Sequence, residues 1–441
     1  MTQTPRTPHE EALYAKTLAC VHCGLCLPAC PAYGALGRES VAPRGQVYNV
    51  RALLEGRLIL TDSLANDIYD CLACRACESV CPAGVPVGAI MEDVRGLITD
   101  AKAESWLARA VKKAILGGVV AHPKRLAWII GLLRFYQASG LRPFVRASLR
   151  FLPGTIVERE SLLPNVPPRD AVRPLPPVLS PLGSPRKRVG LFTGCIASHF
   201  FADVNAATAR VLQRNGFEVV IPRDQGCCGA LHLHNGLPEI ARRLARANLK
   251  VFQGADVAAI VVNAAGCGAA LSEYNELLEG EPGAKEFALR VADISQFLVR
   301  EGFESPRGKV EARVAYDEPC HLLHAQKVHD EPYALLQSIP GVSLRSFRDA
   351  ERCCGSAGIY NLTHYDTSMA ALQEKMRHLA AVAPDIIVSG NPGCLMQLRH
   401  GVRRAGLEAE VTHPVVLLER AYAGSTDGPA PVGPLRLTEA D

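Results

Sequence analysis

The 441-residue sequence predicts a mixed chain of α+β and α/β character: a small helical N-terminal module, then two duplicated α/β domains. Three observations carry this expectation. All sixteen cysteines fall into patterns, eight between positions 20 and 81 and eight between 195 and 394. The second eight recur at an offset of 125–127 residues, the mark of an internal duplication. Apolar runs of strand type lead into the first and last cysteine of each copy, and helical patterns follow them.

Residues 1–100 form the first module. "CVHCGLCLPACP" places Cys20, Cys23, Cys26 and Cys30 before Pro31, and "CLACRACESVCP" places Cys71, Cys74, Cys77 and Cys81 before Pro82. Both read C-x2-C-x2-C-x3-C-P, the bacterial ferredoxin run for 4Fe–4S clusters. Three closely spaced thiolates cover three corners of a cubane, and the fourth, carried away at the proline, caps the other cluster. Cys20, Cys23 and Cys26 are thus expected with Cys81, and Cys71, Cys74 and Cys77 with Cys30. Zinc sites also use paired C-x2-C elements, but they need only four cysteines, not two crowded trios each ending in Cys-Pro. His22, inside the first motif, is expected to tune hydrogen bonding rather than bind iron.

Residues 101–150 are basic and helical in pattern. Ten Lys/Arg stand against one acid, Glu104, between Lys102 and Arg150, so this stretch carries about +9 of a chain whose net charge is +4. A domain-packing helix pair, a dock for an acidic partner and an interfacial helix on anionic lipid all remain open. Nucleic acid is not expected, since no binding motif accompanies the charge. Eight prolines between Pro164 and Pro185 mark residues 151–185 as an extended linker.

The repeats occupy residues 186–310 and 311–424, and residues 425–441 read as a disordered tail. Repeat 1 supplies Cys195, Cys227, Cys228 and Cys267; repeat 2 supplies Cys320, Cys353, Cys354 and Cys394. "RVGLFTGC" matches "RVAYDEPC", and "AAIVVNAAGC" matches "PDIIVSGNPGC". Such βα units build a parallel sheet whose strand ends open onto one crevice, so cysteines distant in sequence converge. Adjacent thiols, as in the two CCG trios, point in different directions and pair poorly with each other. A multi-iron cluster offers corners in both directions, whereas a lone CC pair reads as two small buried hydrophobes. Gly229, Gly355, Gly266 and Gly393 would let backbone approach a bulky inorganic core. Nearby His232, His234, His321 and His324 are either cluster neighbours and proton carriers or ordinary surface and core histidines.

The first twenty residues show no apolar signal-peptide core, and the longest apolar run of the basic segment, Leu126–Leu133, spans eight residues against the ~20 a spanning helix needs. The expectation is a cytoplasmic protein, or one peripheral on the inner face of the membrane. There, reduced cysteines suggest metal or redox chemistry rather than disulfides.

The ferredoxin module followed by two CCG repeats resembles the iron–sulfur subunit of glycolate oxidase over nearly the whole chain. "CVHCG", "NAATARVL", "PCHLLHAQK" and "CCGSAGIYNLTH" carry the likeness. Iron–sulfur subunits of lactate-utilisation complexes and of anaerobic glycerol-3-phosphate dehydrogenase share the architecture, as does the catalytic subunit of heterodisulfide reductase. The resemblance implies two 4Fe–4S clusters on the ferredoxin cysteines and one or two further iron–sulfur clusters on the CCG cysteines. A single cluster shared between repeats is favoured, because each repeat lacks a fifth cysteine. It also implies flavin-containing partner subunits that oxidise glycolate to glyoxylate, a membrane quinone as acceptor, and no flavin or catalytic residue in this chain. The heterodisulfide type ends each repeat in C-x2-C. Here Ala270 and Gln397 take the final positions, which counts against disulfide-reducing chemistry. G-x-G-x-x-G after a strand is absent, so no dinucleotide site is expected.

Overall fold

The computed structural model describes residues 6–103, 105–141, 144–145, 148 and 154–424; the expected tail at 425–441 lies outside them. The first module is helical. Its core gathers Leu13, Val47, Val50, Ile68, Ile90, Met91 and Val94 from the helices Pro8–Thr17, Pro43–Leu54, Asp62–Tyr69 and Val87–Asp100. Thr7 starts the first of these with a capping box, its hydroxyl accepting from Glu10 N while the Glu10 carboxylate accepts from Thr7 N.

The two repeats are copies in topology as well as sequence. Repeat 1 contains β2 (Arg188–Phe192), β3 (Glu218–Val220), β4 (Ala259–Val262) and β5 (Val291–Asp293), joined in parallel in the order β3-β2-β4-β5. A short β1 (Val178–Leu179) pairs antiparallel with β3 at the edge. Repeat 2 contains β6 (Ala312–Tyr316), β7 (Val342–Leu344), β8 (Ile386–Val388) and β9 (Glu410–Thr412), all parallel in the order β7-β6-β8-β9. β4 and β8 are buried along their whole length, as inner strands of parallel sheets covered on both faces must be. One apolar core runs through both repeats, from Val189, Leu191 and Phe217 to Val314, Ile387 and Leu417.

The basic segment folds as Trp106–Lys112, a π-helical continuation over Lys113–Val120, and Pro123–Ala138, the two arms bent by 103°. A narrow stripe packs inward, through Lys112, Leu116, Val120, Ala121, Leu126 and Ile130. The stretch expected as an extended linker differs in part: it forms a helix over Gly154–Ser161 and contributes β1. The helix precedes the proline-rich run, whereas a 3-10 turn over Arg169–Ala171 and β1 lie within it, β1 at a sheet edge where missing N–H groups are tolerated.

Candidate metal centres

Both ferredoxin-type motifs fold into the same loop. His22 and Gly24 in the first, and Ala73 and Arg75 at the matching positions of the second, hold φ values of 56°, 87°, 52° and 64°. Successive left-handed turns fold three thiols to one side and turn backbone N–H groups inward. Arg75 is held in this conformation by ion pairs to Glu78, at 2.9 Å, and to Glu273 of repeat 1.

Pro31 then opens the helix Pro31–Leu36 at its first position, where its fixed φ suits the helix and its missing N–H is not needed. Cys30 becomes the cap of that helix, its sulfur accepting from Tyr33 N at 3.4 Å. This turn carries Cys30 to a cavity it lines with Cys71, Cys74 and Cys77. A second cavity is lined by Cys20, Cys23, Cys26 and Cys81, with Cys77 on the wall between the two. Cys23 is exposed and Cys74 is buried, so the site lined by Cys20, Cys23, Cys26 and Cys81 faces solvent and the site lined by Cys30, Cys71, Cys74 and Cys77 faces inward.

What the inward site, that of Cys74, faces is repeat 2. Cys74 shares one apolar cluster with Cys320, Cys353 and Tyr360. Tyr360 donates to Asp70 O at 2.8 Å, and Arg352 donates to Pro28 O at 2.9 Å, which pins the module against this repeat. Cys320 follows β6, Cys353 and Cys354 follow β7, and Cys394 lies two residues into the helix after β8. Their thiols form a chain of neighbours: Cys320 with Cys353, Cys353 with Cys354, Cys354 with Cys394. Repeat 1 builds the same chain from Cys195, Cys227, Cys228 and Cys267. A Cβ on Gly194, next to Cys195, would stand 3.8 Å from the Cys267 sulfur, which shows how closely the two strand ends meet.

Two of the CCG-region glycines, Gly229 and Gly355, have a backbone reason of their own. Gly229 and Gly355 hold φ of 93° and 88°. A Cβ on Gly355 would collide with the Ser368 carbonyl oxygen, and one on Gly229 would lie 3.3 Å from Ala241. The close approach is to the following helix.

The donor set suits metal. Burial pushes the Cys30 thiol up to about 12 and raises Cys26, Cys74 and Cys77. Hydrogen bonding to Cys354, then burial, raises Cys394. Cys227 is the exception, drawn well below the ordinary thiol value by hydrogen bonds from Cys195 and Cys228. Crowded, buried thiols of this kind resist joint ionisation until a cation supplies the compensating charge.

The histidines mostly tie modules together. His232 bonds through Nε2 to Leu116 O at 3.0 Å, beneath the π-helical turn, and lies within reach of Cys227. His234 Nδ1 stands 2.9 Å from Glu92, and His324 Nδ1 stands 2.9 Å from Ser79 Oγ, both on the ferredoxin-type module. His321 Nδ1 lies 3.4 Å from the Cys320 sulfur, and burial lowers its pKa to about 3. His22 is exposed, edge-on to Tyr48.

Several residues escaped the sequence reading. Asn391 spans the repeats: its side-chain oxygen accepts from Gly266 N at 3.2 Å, and its nitrogen donates to the Cys394 sulfur at 3.4 Å. His413 makes a second tie, with Nε2–H donating to Asn263 O at 3.0 Å and Nδ1 accepting from Val415 N at 3.1 Å. Lys375 and Asp317 form a buried ion pair at 2.7 Å near Cys354 and Cys394. The "NPGC" tetrad was a local signal for Asn391; for the others, amphipathic patterns mark only a core face. At the positions of the missing fifth cysteines, Ala270 is buried. Gln397 is also buried and bonded to Asn361 and Ser368.

Comparisons with known proteins follow this geometry. A cysteine-rich domain family matches residues 189–272 and 314–399, and a 4Fe-4S dicluster domain matches residues 16–85. A family described as "Glycolate oxidase iron-sulfur subunit, linker region" matches residues 107–163, the bent helix pair and the chain after it. The chain is 38% identical to a probable glycolate oxidase iron-sulfur subunit of Bacillus subtilis, over 89% of this chain and 91% of that protein. It is 33% identical to the glycolate oxidase iron-sulfur subunit of Escherichia coli, over 91% and 93%. Lactate utilization protein A of Shouchella clausii is 31% identical over 51% of this chain and 95% of its own.

Proposed function

The chain belongs to the glycolate oxidase iron-sulfur subunit family, and from that premise we propose that it carries electrons from flavin-containing partners that oxidise glycolate to glyoxylate towards a quinone. An iron–sulfur cluster on each thiol quartet would accept and release one electron at a time. Cys20, Cys23, Cys26 and Cys81 would hold one 4Fe–4S cluster, and Cys30, Cys71, Cys74 and Cys77 the other. Each repeat has its own connected quartet, which favours one centre per repeat over a single shared one.

The observation that carries this reading is the contact between quartets. The exposed Cys23 edge offers an entry, rimmed by the exposed side chains of Val21 and Leu25, where a flavin-bearing partner can approach. Cys74 shares an apolar cluster with Cys320 and Cys353, and Asn391 bridges the Cys394 sulfur to the backbone beside Cys267. In this reading the substrate chemistry belongs to the flavin-containing partners, and this chain carries the electrons onward. Among the described residues no single helix is long and apolar enough to cross a membrane.

The test is reconstitution. The purified chain should contain iron and no flavin and leave glycolate unoxidised, and adding the flavin-containing partners should restore dye-linked oxidation. Oxidation of glycolate by the chain alone would overturn the assignment.

A further inference from the structure

A cavity of about 910 Å³, open on one side, lies between the helix Pro123–Ala138 and the strand ends of repeat 1, and Cys195 is on its wall. That volume is in the range of small-molecule sites. The helix lines it with Leu126, Ile130 and Gly131, while Arg134 and His199 bring polar groups to the same space. Arg134 is anchored by its Nε donating to Pro167 O at 2.8 Å, and its charge is felt at His199. An apolar helix face, a polar side formed by Arg134, Arg169, Arg173, Arg223 and His199, and an adjoining thiol quartet suit a flat molecule with an apolar ring and carbonyl acceptors.

The opposite face of the same helix is apolar too, and it is uncovered. Trp128, Leu132 and Phe135, spaced four and three residues apart, are 65%, 47% and 68% exposed. On the preceding arm Trp106 is 74% exposed, so both tryptophans of the chain stand in solvent on this bent pair. Lys113, Lys124 and Arg125 are exposed around them, and no acid occurs between Glu104 and Glu158. Exposed tryptophans, aliphatic side chains and unopposed lysines are the chemistry of a helix lying in the headgroup region of an anionic bilayer.

We propose that the bent pair seats this chain on an anionic membrane surface, and that the cavity behind it is where a lipid-soluble quinone reaches the Cys195 quartet. The proposal rests on the electron-transfer reading. Reduction to the hydroquinone consumes two electrons, delivered singly from reduced iron–sulfur centres, and two protons from water, for which His199 stands at the cavity wall. Arg134 and His199 are positioned to hydrogen-bond the quinone oxygens, and Leu126 and Ile130 to pack against its ring.

Two variants of the full-length holoprotein separate the parts of this proposal. Gly131→Phe fills the cavity: a Cβ at Gly131 meets no atom within 4 Å, so the ring enters open space without a clash. It should weaken binding of an alkyl benzoquinone, measured by equilibrium dialysis, at least ~10-fold. It should leave co-sedimentation with phosphatidylcholine–phosphatidylglycerol vesicles unchanged. The double variant Trp128→Glu/Phe135→Glu should lose vesicle binding by at least ~10-fold and still bind the quinone in solution. Wild-type affinity for the quinone in Gly131→Phe, or wild-type vesicle binding in the double variant, would overturn the proposal. So would equal binding of the wild type to vesicles with and without phosphatidylglycerol. Reduction of the iron–sulfur centres by glycolate through the flavin partners, followed by EPR, reads the underlying function separately: it should be intact in both variants.

Discussion

Removing Lys375 should loosen the second repeat far more than its single charge suggests. The Lys375 ammonium and the Asp317 carboxylate lie 2.7 Å apart with each side chain 1% exposed. Lys375 also donates to Ala350 O at 2.8 Å, and Asp317 accepts from Ser389 Oγ at 2.8 Å, so both charges are held by neutral partners as well. Burial lowers the Lys375 pKa, but Asp317 and the Cys354 and Cys394 thiols outweigh it and hold it above its ordinary value. Lys375→Met leaves a carboxylate buried without its cation, at a cost of about 3–5 kcal/mol. Asp317→Leu added to it removes the stranded charge and should recover most of that loss. Amide hydrogen exchange localises the effect: β6 and β8 should exchange faster by roughly two to four powers of ten in Lys375→Met, with β2 and β4 little changed. An acceleration in β6 and β8 of less than about tenfold would refute the reasoning, because the pair would then be solvated or dispensable.

Gly355→Ala should destabilise by more than Gly229→Ala. Both enforce a left-handed conformation costing about 1–2 kcal/mol, but only the first also drives its Cβ into a backbone oxygen; comparing urea midpoints of the two variants checks the order. His413 is buried neutral with its pKa lowered from 6.5 to about 4. Its contribution is therefore fully present above pH 6.5 and is lost as pH falls towards 4, about 3 kcal/mol in all. His413→Asn should flatten stability over that window, and a midpoint that still falls as steeply would count against a neutral imidazole buried at this position. Cys81→Ser should alter the EPR signal of the site built by Cys20, Cys23 and Cys26, and Cys30→Ser that of the site built by Cys71, Cys74 and Cys77. The reverse result would mean each motif closes on itself.

How much of this was legible depended on whether the signal was local. C-x2-C-x2-C-x3-C-P encodes its own loop, so the helical module and the expectation that Cys30 and Cys81 each serve the opposite motif could be read from spacing alone. The constant offset of the other eight cysteines revealed the duplicated strand–helix units, because strand-type runs before Cys195, Cys267, Cys320 and Cys394 are also local. Relations between modules left no such trace. Nothing periodic joins Arg75 to Glu273, Cys74 to Cys353 or His413 to Asn263; these pairs arise only when three folded units meet. Lys375 reads in sequence as one more helix surface residue, and its burial follows from the strand end carrying Asp317. The CCG glycines were noticed as backbone specials, but the residue against which Gly355 presses, Ser368, is 13 residues downstream, too far for a turn signal.

The central claim is that electrons entering at the Cys23 edge leave through the CCG repeats. The direct measurement is freeze-quench EPR with quinone reduction on the complex assembled with flavin-containing partners, comparing the wild-type chain with Cys353→Ala/Cys354→Ala. Glycolate should still reduce the two ferredoxin-type centres in the variant, while the repeat 2 signal disappears and quinone reduction falls to background. Quinone reduction at the wild-type rate without that signal would contradict the account, since the path from Cys74 through repeat 2 would not be the one electrons take.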